Sequence, residues 1–145
     1  MSDPNSESKQ GIPESRRLRE HPTPRFAAAQ HQYDLAVAGE ELRQEFAAGQ
    51  AGHRQKTLYK RGSTTVALFL FGHLTRLAPH RTKGVVTIHL LTGHLQVTAE
   101  GQVHDLRTGN LVVLAPGVEH DVVALEESQM LLTVHLDAGA APAMT

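Results

Sequence analysis

Short apolar, β-branched runs follow one another from Lys56 onward, cut at regular intervals by turn signals at Arg61-Gly62-Ser63, Thr92-Gly93, Glu100-Gly101 and Thr108-Gly109. That texture predicts an all-β domain. The candidate strands are Thr57–Lys60, Thr64–Phe71, His73–Leu77, Val85–Leu91, His94–Ala99, Gln102–Leu106, Asn110–Leu114, Glu119–Leu125 and Gln129–Leu136. Closing such strands into an antiparallel barrel or two-sheet jelly roll removes exposed edges and leaves one end able to hold a small ligand. Late in the series, Pro116-Gly117-Val118-Glu119-His120-Asp121 forms a turn that delivers a histidine onto the next strand.

The rest of the chain bounds the function. At 145 residues there is room for one domain with flanking sequence. Fourteen Lys and Arg stand against fifteen Asp and Glu, so no long-range field gathers phosphates, and no nucleic-acid partner is expected. The basic stretch Arg54–Arg61 reads as a solvated strand edge. No run reaches membrane-spanning length and Met1–Glu20 lacks an apolar leader core, so a cytoplasmic protein without a membrane partner is expected. There are no cysteines, which removes disulfides, thiolate ligands and cysteine nucleophiles. Phosphate loops, G-x-S-x-G and H-E-x-x-H are also absent.

Residues 1–24, with Pro4, Pro13, Pro22 and Pro24 among polar residues, read as a disordered tail. Residues 25–52 read as a helical segment. Thr23-Pro24 gives a start signal, Leu35, Ala38, Leu42 and Phe46 recur at helical spacing, a break is expected near Gly39, and the helix should stop by Gly49 or Gly52. The barrel then occupies 53–137, with a loose end at 138–145. Within it, Val66–Phe71 has no polar alternation, so both its faces need cover from a partner subunit or the helix. A homodimer is expected on that ground.

These residues resemble the small single-domain cupins over about Tyr33–Leu136. The first cupin motif corresponds to Pro79–Gly84 through Leu90-Leu91-Thr92-Gly93. The second corresponds to Gly109-Asn110-Leu111-Val112-Val113-Leu114-Ala115-Pro116-Gly117-Val118-Glu119-His120, with the proline directly before the glycine. The resemblance implies a cupin-like double-stranded β-helix preceded by a helix. It also aligns the four metal-ligand positions with His80, Thr82, Val86 and His120. Thr82 is a poor ligand and Val86 cannot coordinate, which leaves two of the roughly three protein ligands that a catalytic metal needs. What remains of the metal reading is a divalent ion (Fe, Mn, Ni or Zn) at low occupancy on His80 and His120, with His104 as a borrowed third ligand.

The leading expectation is a small-molecule-binding or sensing barrel in which His80, Thr82 and His120 orient a ligand such as a carboxylate or phenol. The alternatives are a weakly metallated oxygenase or isomerase and a partner-binding module with a filled barrel. Apolar alternation predicts Val86, Ile88 and Leu90 inward, with Thr87 and His89 outward. His104 shares parity with Leu106. Glu119 and Asp121 beside His120 are expected to point away from the cavity, and His21, His31, His53 and His94 to be bystanders.

Overall fold

The computed structural model describes residues 28–46 and 52–137. The chain divides into two compact units, residues 1–32 and 33–145. In the first unit, the described residues 28–32 hold neither helix nor strand. The second carries helix α1 (Leu35–Gln44) and strands β1 (His53–Arg61), β2 (Thr64–Phe71), β3 (Arg76–His80), β4 (Gly84–Thr92), β5 (His94–Ala99), β6 (Gln102–Arg107), β7 (Leu111–Leu114), β8 (His120–Ala124) and β9 (Ser128–Leu136).

The strands form a five-stranded sheet, β1-β2-β9-β4-β7, and a four-stranded sheet, β3-β8-β5-β6, with antiparallel neighbours throughout. Apart from the β1–β2 and β5–β6 hairpins the chain passes from one sheet to the other at each step, which is the jelly-roll winding of a cupin barrel. Strict alternation builds the core between the sheets. On β4, Val86, Ile88 and Leu90 are buried inward and the residues between them are half-exposed. Phe69, Phe71, Leu95 and Val97 join them in one apolar cluster.

The outer face of β2 is closed by α1. Leu68 and Leu70 are fully buried in a second cluster with Leu42 and Leu58, flanked by Leu35, Ala38 and Phe46. The helical stripe read from the sequence is therefore the cover for this strand, and a partner subunit is not needed there. Asp34 caps the helix, its carboxylate accepting from the Val37 N–H at 3.1 Å. The break expected at Gly39 does not occur. Gly39 sits where helix and sheet come closest, since a Cβ there would lie 2.1 Å from Gln129 Oε1. Arg43 adds an ion pair to Glu127 at 2.7 Å. The tail, the Thr23-Pro24 start, the stop at Gly49 and the loose C-terminal end lie outside the described residues.

Two strands, β1 and β3, differ from expectation by more than one residue at an end. β1 begins earlier, because His53–Lys56 pair with Phe71–Leu68 as an exposed edge whose polar side chains hide its strand character. The strand expected at His73–Leu77 begins only at Arg76. Gly72–Thr75 form a turn in which Thr75 N–H donates to the Gly72 carbonyl at 3.2 Å and Leu74 takes a positive φ of 63°.

Gly93 joins β4 to β5 at φ +103°, and a Cβ there would lie 2.6 Å from the Glu127 carbonyl oxygen and 2.7 Å from Ser128 Cα. Gly109 also has a positive φ, +90°, but open space around it. Gly93→Ala should therefore cost about 2 kcal/mol more than Gly109→Ala, which bears only the backbone strain of about 1 kcal/mol. Denaturant unfolding of both variants checks this, and equal losses would contradict the close approach at Gly93.

Candidate functional site

His80 and His120 meet at one end of the barrel through an irregularity in β3. On β8, Val122 and His120 are two residues apart and share a face, and Val122 is in the core. On β3 their partners are Leu77 and His80, three residues apart. One extra residue on β3 makes a β-bulge there, and Pro79, which has no N–H to give a ladder, falls inside it. Without the bulge Leu77 would share its face with Pro79 and His80 would point outward. With it His80 lies opposite His120, and the two rings stand 4.3 Å apart between centroids at 58°.

The imidazoles are held alike. His80 Nδ1 lies 2.9 Å from the Ala78 carbonyl oxygen and His120 Nδ1 lies 3.0 Å from that of Val118. A carbonyl only accepts, so each Nδ1 carries the hydrogen. In the neutral ring Nε2 then has the lone pair. Among the described residues neither Nε2 has a protein hydrogen-bond partner. For His120 this is a buried, unpartnered acceptor, since the residue is only 4% exposed, whereas His80 is exposed. Burial lowers the His120 pKa, partly opposed by the hydrogen bond to the Val118 carbonyl, while His80 lowers it further and Asp121 raises it least.

Part of the core's apolar surface is incompletely covered. Leu77, Val118, Leu132 and Val134 pack on the core yet stay partly exposed. Leu77 and Val118 flank the two histidines, and Val134 pairs with Val86 near the start of β4. The carboxylates beside His120 do turn away from the core. Asp121 pairs with Arg76 at 2.7 Å and Glu119 with Arg81 at 3.1 Å. An open groove of ≈ 360 Å³ runs over this corner, lined by Pro79, Arg81, Thr98, Glu119, His120 and Asp121 among others. The sequence reading missed that groove, although strand parity could have found it: Thr98 and Asp121 are cross-strand partners outside the four-stranded sheet.

Thr82 is half-buried in the β3–β4 turn, where its carbonyl accepts from Gly117 N–H at 2.8 Å and ties that turn to the β7–β8 turn. Among the described residues no hydrogen bond joins its hydroxyl to either imidazole. Val86, 3% exposed, is a core residue. His104 pairs with Val97 on β6 and does not join the two histidines, because no group of three or more His, Cys, Asp or Glu able to hold a metal stands among the described residues. The ligands present therefore do not fit a resident catalytic metal of the three-ligand kind. His53, expected to be a bystander, lies on β1 and stacks on Phe69 with centroids 5.7 Å apart. His94 begins β5 and contacts Asp105 at 2.7 Å.

The depressed His120 pKa fixes a sign. As pH falls below the unfolded-state value of about 6.5, the unfolded chain takes up this proton before the folded protein does. The stability held above that pH is then lost as pH drops through the folded value. Asp105, held below its ordinary value mainly by the His94 hydrogen bond, titrates in a more acidic range. Unfolding curves recorded between about pH 7.5 and 5 should fall more steeply for wild type than for His120→Gln, by at most about 1.4 kcal/mol per pH unit. Equal slopes would contradict the burial-driven shift.

Comparison with known proteins agrees with this architecture. A family profile for the AraC-like ligand binding domain matches residues 66–143, more than half the chain. No curated protein matches the sequence. Among solved structures, a protein of unknown function from Streptococcus pyogenes is 23% identical with a TM-score of 0.60, over 76% of this chain and 90% of that one. A cupin superfamily protein from Desulfitobacterium hafniense is 17% identical with a TM-score of 0.60, over 65% and 86%. Salicylate 1,2-dioxygenase from Pseudoaminobacter salicylatoxidans is 14% identical with a TM-score of 0.62, over 71% of this chain and 32% of that chain. At these identities the likeness establishes the fold, and no helix among the described residues is long and apolar enough to cross a membrane. With the profile match added to the jelly-roll topology, this chain belongs to the AraC-like ligand binding domain family and is built as a cupin barrel.

Proposed function

We propose that this chain is a small-molecule-binding or sensing domain that receives its ligand at the barrel end carrying His80 and His120. The observation that carries the reading is the Nε2 of His120, a buried acceptor that no group among the described residues satisfies. Buried polar atoms are nearly always hydrogen-bonded, so one left open beside partly exposed apolar walls is the composition of a binding site. Leu77, Val118, Leu132 and Val134 supply the apolar contact. Thr82 belongs to the same turn and serves as the third orienting group. Among the described residues no third coordinating side chain stands beside the pair, which favours binding over metal-assisted catalysis.

A thermal-stabilisation screen of neutral metabolites tests this. A ligand at about 100 times its Kd should add about 2.7 kcal/mol of stability. His80→Ala and His120→Ala should each remove most of that gain. Ligands that stabilise wild type and both variants equally would place binding elsewhere. Near-stoichiometric metal in the purified protein, lost in both variants, would return the site to metal chemistry.

The homodimer belongs to the same proposal, on a different surface from the one first expected. With Leu68 and Leu70 under α1, the bare apolar residues outside the five-stranded sheet are Leu111, 57% exposed, and Val113, 59% exposed. Sedimentation should show a dimer that Val113→Glu dissociates, and a monomeric wild type would remove the proposal.

A further inference from the structure

We infer that the ligand is a hydrogen-bond donor without negative charge, a molecule presenting hydroxyl or amino groups, and that the site rejects carboxylates. This rests on the ligand-binding reading above and narrows it. Two independent features of the corner lead there.

The first is the hydrogen-bond polarity of the histidine pair. Both Nδ1–H groups are committed to backbone carbonyls, Ala78 for His80 and Val118 for His120. Each neutral ring therefore offers its remaining nitrogen as an acceptor. Neither can satisfy the other, since both bring a lone pair and no hydrogen, even with ring centroids only 4.3 Å apart. A ligand that completes the pair must bring donors, and two neighbouring donors match it best. A carboxylate, an ether or a ketone brings acceptors only, and leaves the buried nitrogen of His120 unsatisfied.

The second feature is the charge around the groove that His120 lines. Its lining holds one cation, Arg81, against Glu100, Glu119 and Asp121. Arg81 is engaged with the Glu119 carboxylate at 3.1 Å and with the Gly117 carbonyl at 3.4 Å. Asp121 is matched by Arg76 at 2.7 Å from outside the lining. These carboxylates line the outer side of the same corner, so an anion approaching it meets more negative than positive charge, whereas a hydroxyl is tolerated and an ammonium is attracted. The tautomers and the lining thus select in the same direction without sharing a residue other than His120.

Four probes of one size separate the terms: catechol with two neutral donors, benzylamine with a cationic donor, 1,2-dimethoxybenzene with acceptors only, and benzoate with a negative charge. Each is titrated into the full-length protein near pH 7.5 while the Hε1 signals of His80 and His120, assigned through the backbone, are followed by NMR. Catechol and benzylamine should move both signals, with dissociation constants at least about tenfold below those of the other two. Benzoate or 1,2-dimethoxybenzene binding at the histidines as tightly as catechol would overturn the inference while leaving the ligand-binding reading intact. Silence of both signals to all four probes would overturn both.

Discussion

The β-bulge in β3 is the constraint on which the histidine-bearing end of this barrel depends. Leu77 is held inward by its pairing with Val122, and two-residue alternation from Leu77 would bury Pro79 and turn His80 to solvent. The extra residue reverses that phase within one turn of the chain and brings His80 onto the face of His120. The histidine pair is thus a product of backbone register. The Gly117 N–H to Thr82 carbonyl bond then locks the two turns that flank the pair.

The two ends of the barrel differ because their inward positions differ in cover. Toward one end Phe71, Leu90, Leu95 and Ala124 are fully buried, and the turn at Gly93 is pressed against Glu127 and Ser128. Toward the other, the inward residues Leu132 and Val134 stay half-exposed. The barrel is thus closely packed at one end and less completely covered at the other, without loosening the core. Outside, Asp121 and Glu119 pair with Arg76 and Arg81, and among the described residues no carboxylate orients either ring; backbone carbonyls fix the tautomers instead.

Most of the fold was legible in the sequence because alternation and turn chemistry are local. Val86, Ile88 and Leu90 announce their inward face, and Gly93, Glu100-Gly101 and Gly109 mark turns that all take positive φ. The apolar stripe Leu35, Ala38, Leu42 and Phe46 was equally clear, but a strand with no polar face left its cover open between this helix and a partner subunit, and only the packing on Leu68 and Leu70 decides it. His80 and His120 were found from motif spacing. The bulge was not, since nothing about Ala78-Pro79 alone says which residue is extra; that depends on β8, some forty residues away. The edge strand His53–Lys56 was hidden by its polar residues, and Leu74 by a positive φ that its side chain gives no hint of. The groove was missed for a similar reason, because its lining comes from β3, β5 and β8 together.

The central claim is that backbone carbonyls fix both imidazoles as Nδ1–H tautomers and leave two acceptors at the barrel mouth. A long-range ¹H–¹⁵N correlation spectrum of the ring nitrogens, taken above the histidine titration range, reads this directly. The account predicts that His80 and His120 both show a protonated Nδ1 and a bare Nε2. A protonated Nε2 on either ring would contradict it, because that ring would then face the ligand as a donor and its carbonyl contact would no longer be a hydrogen bond.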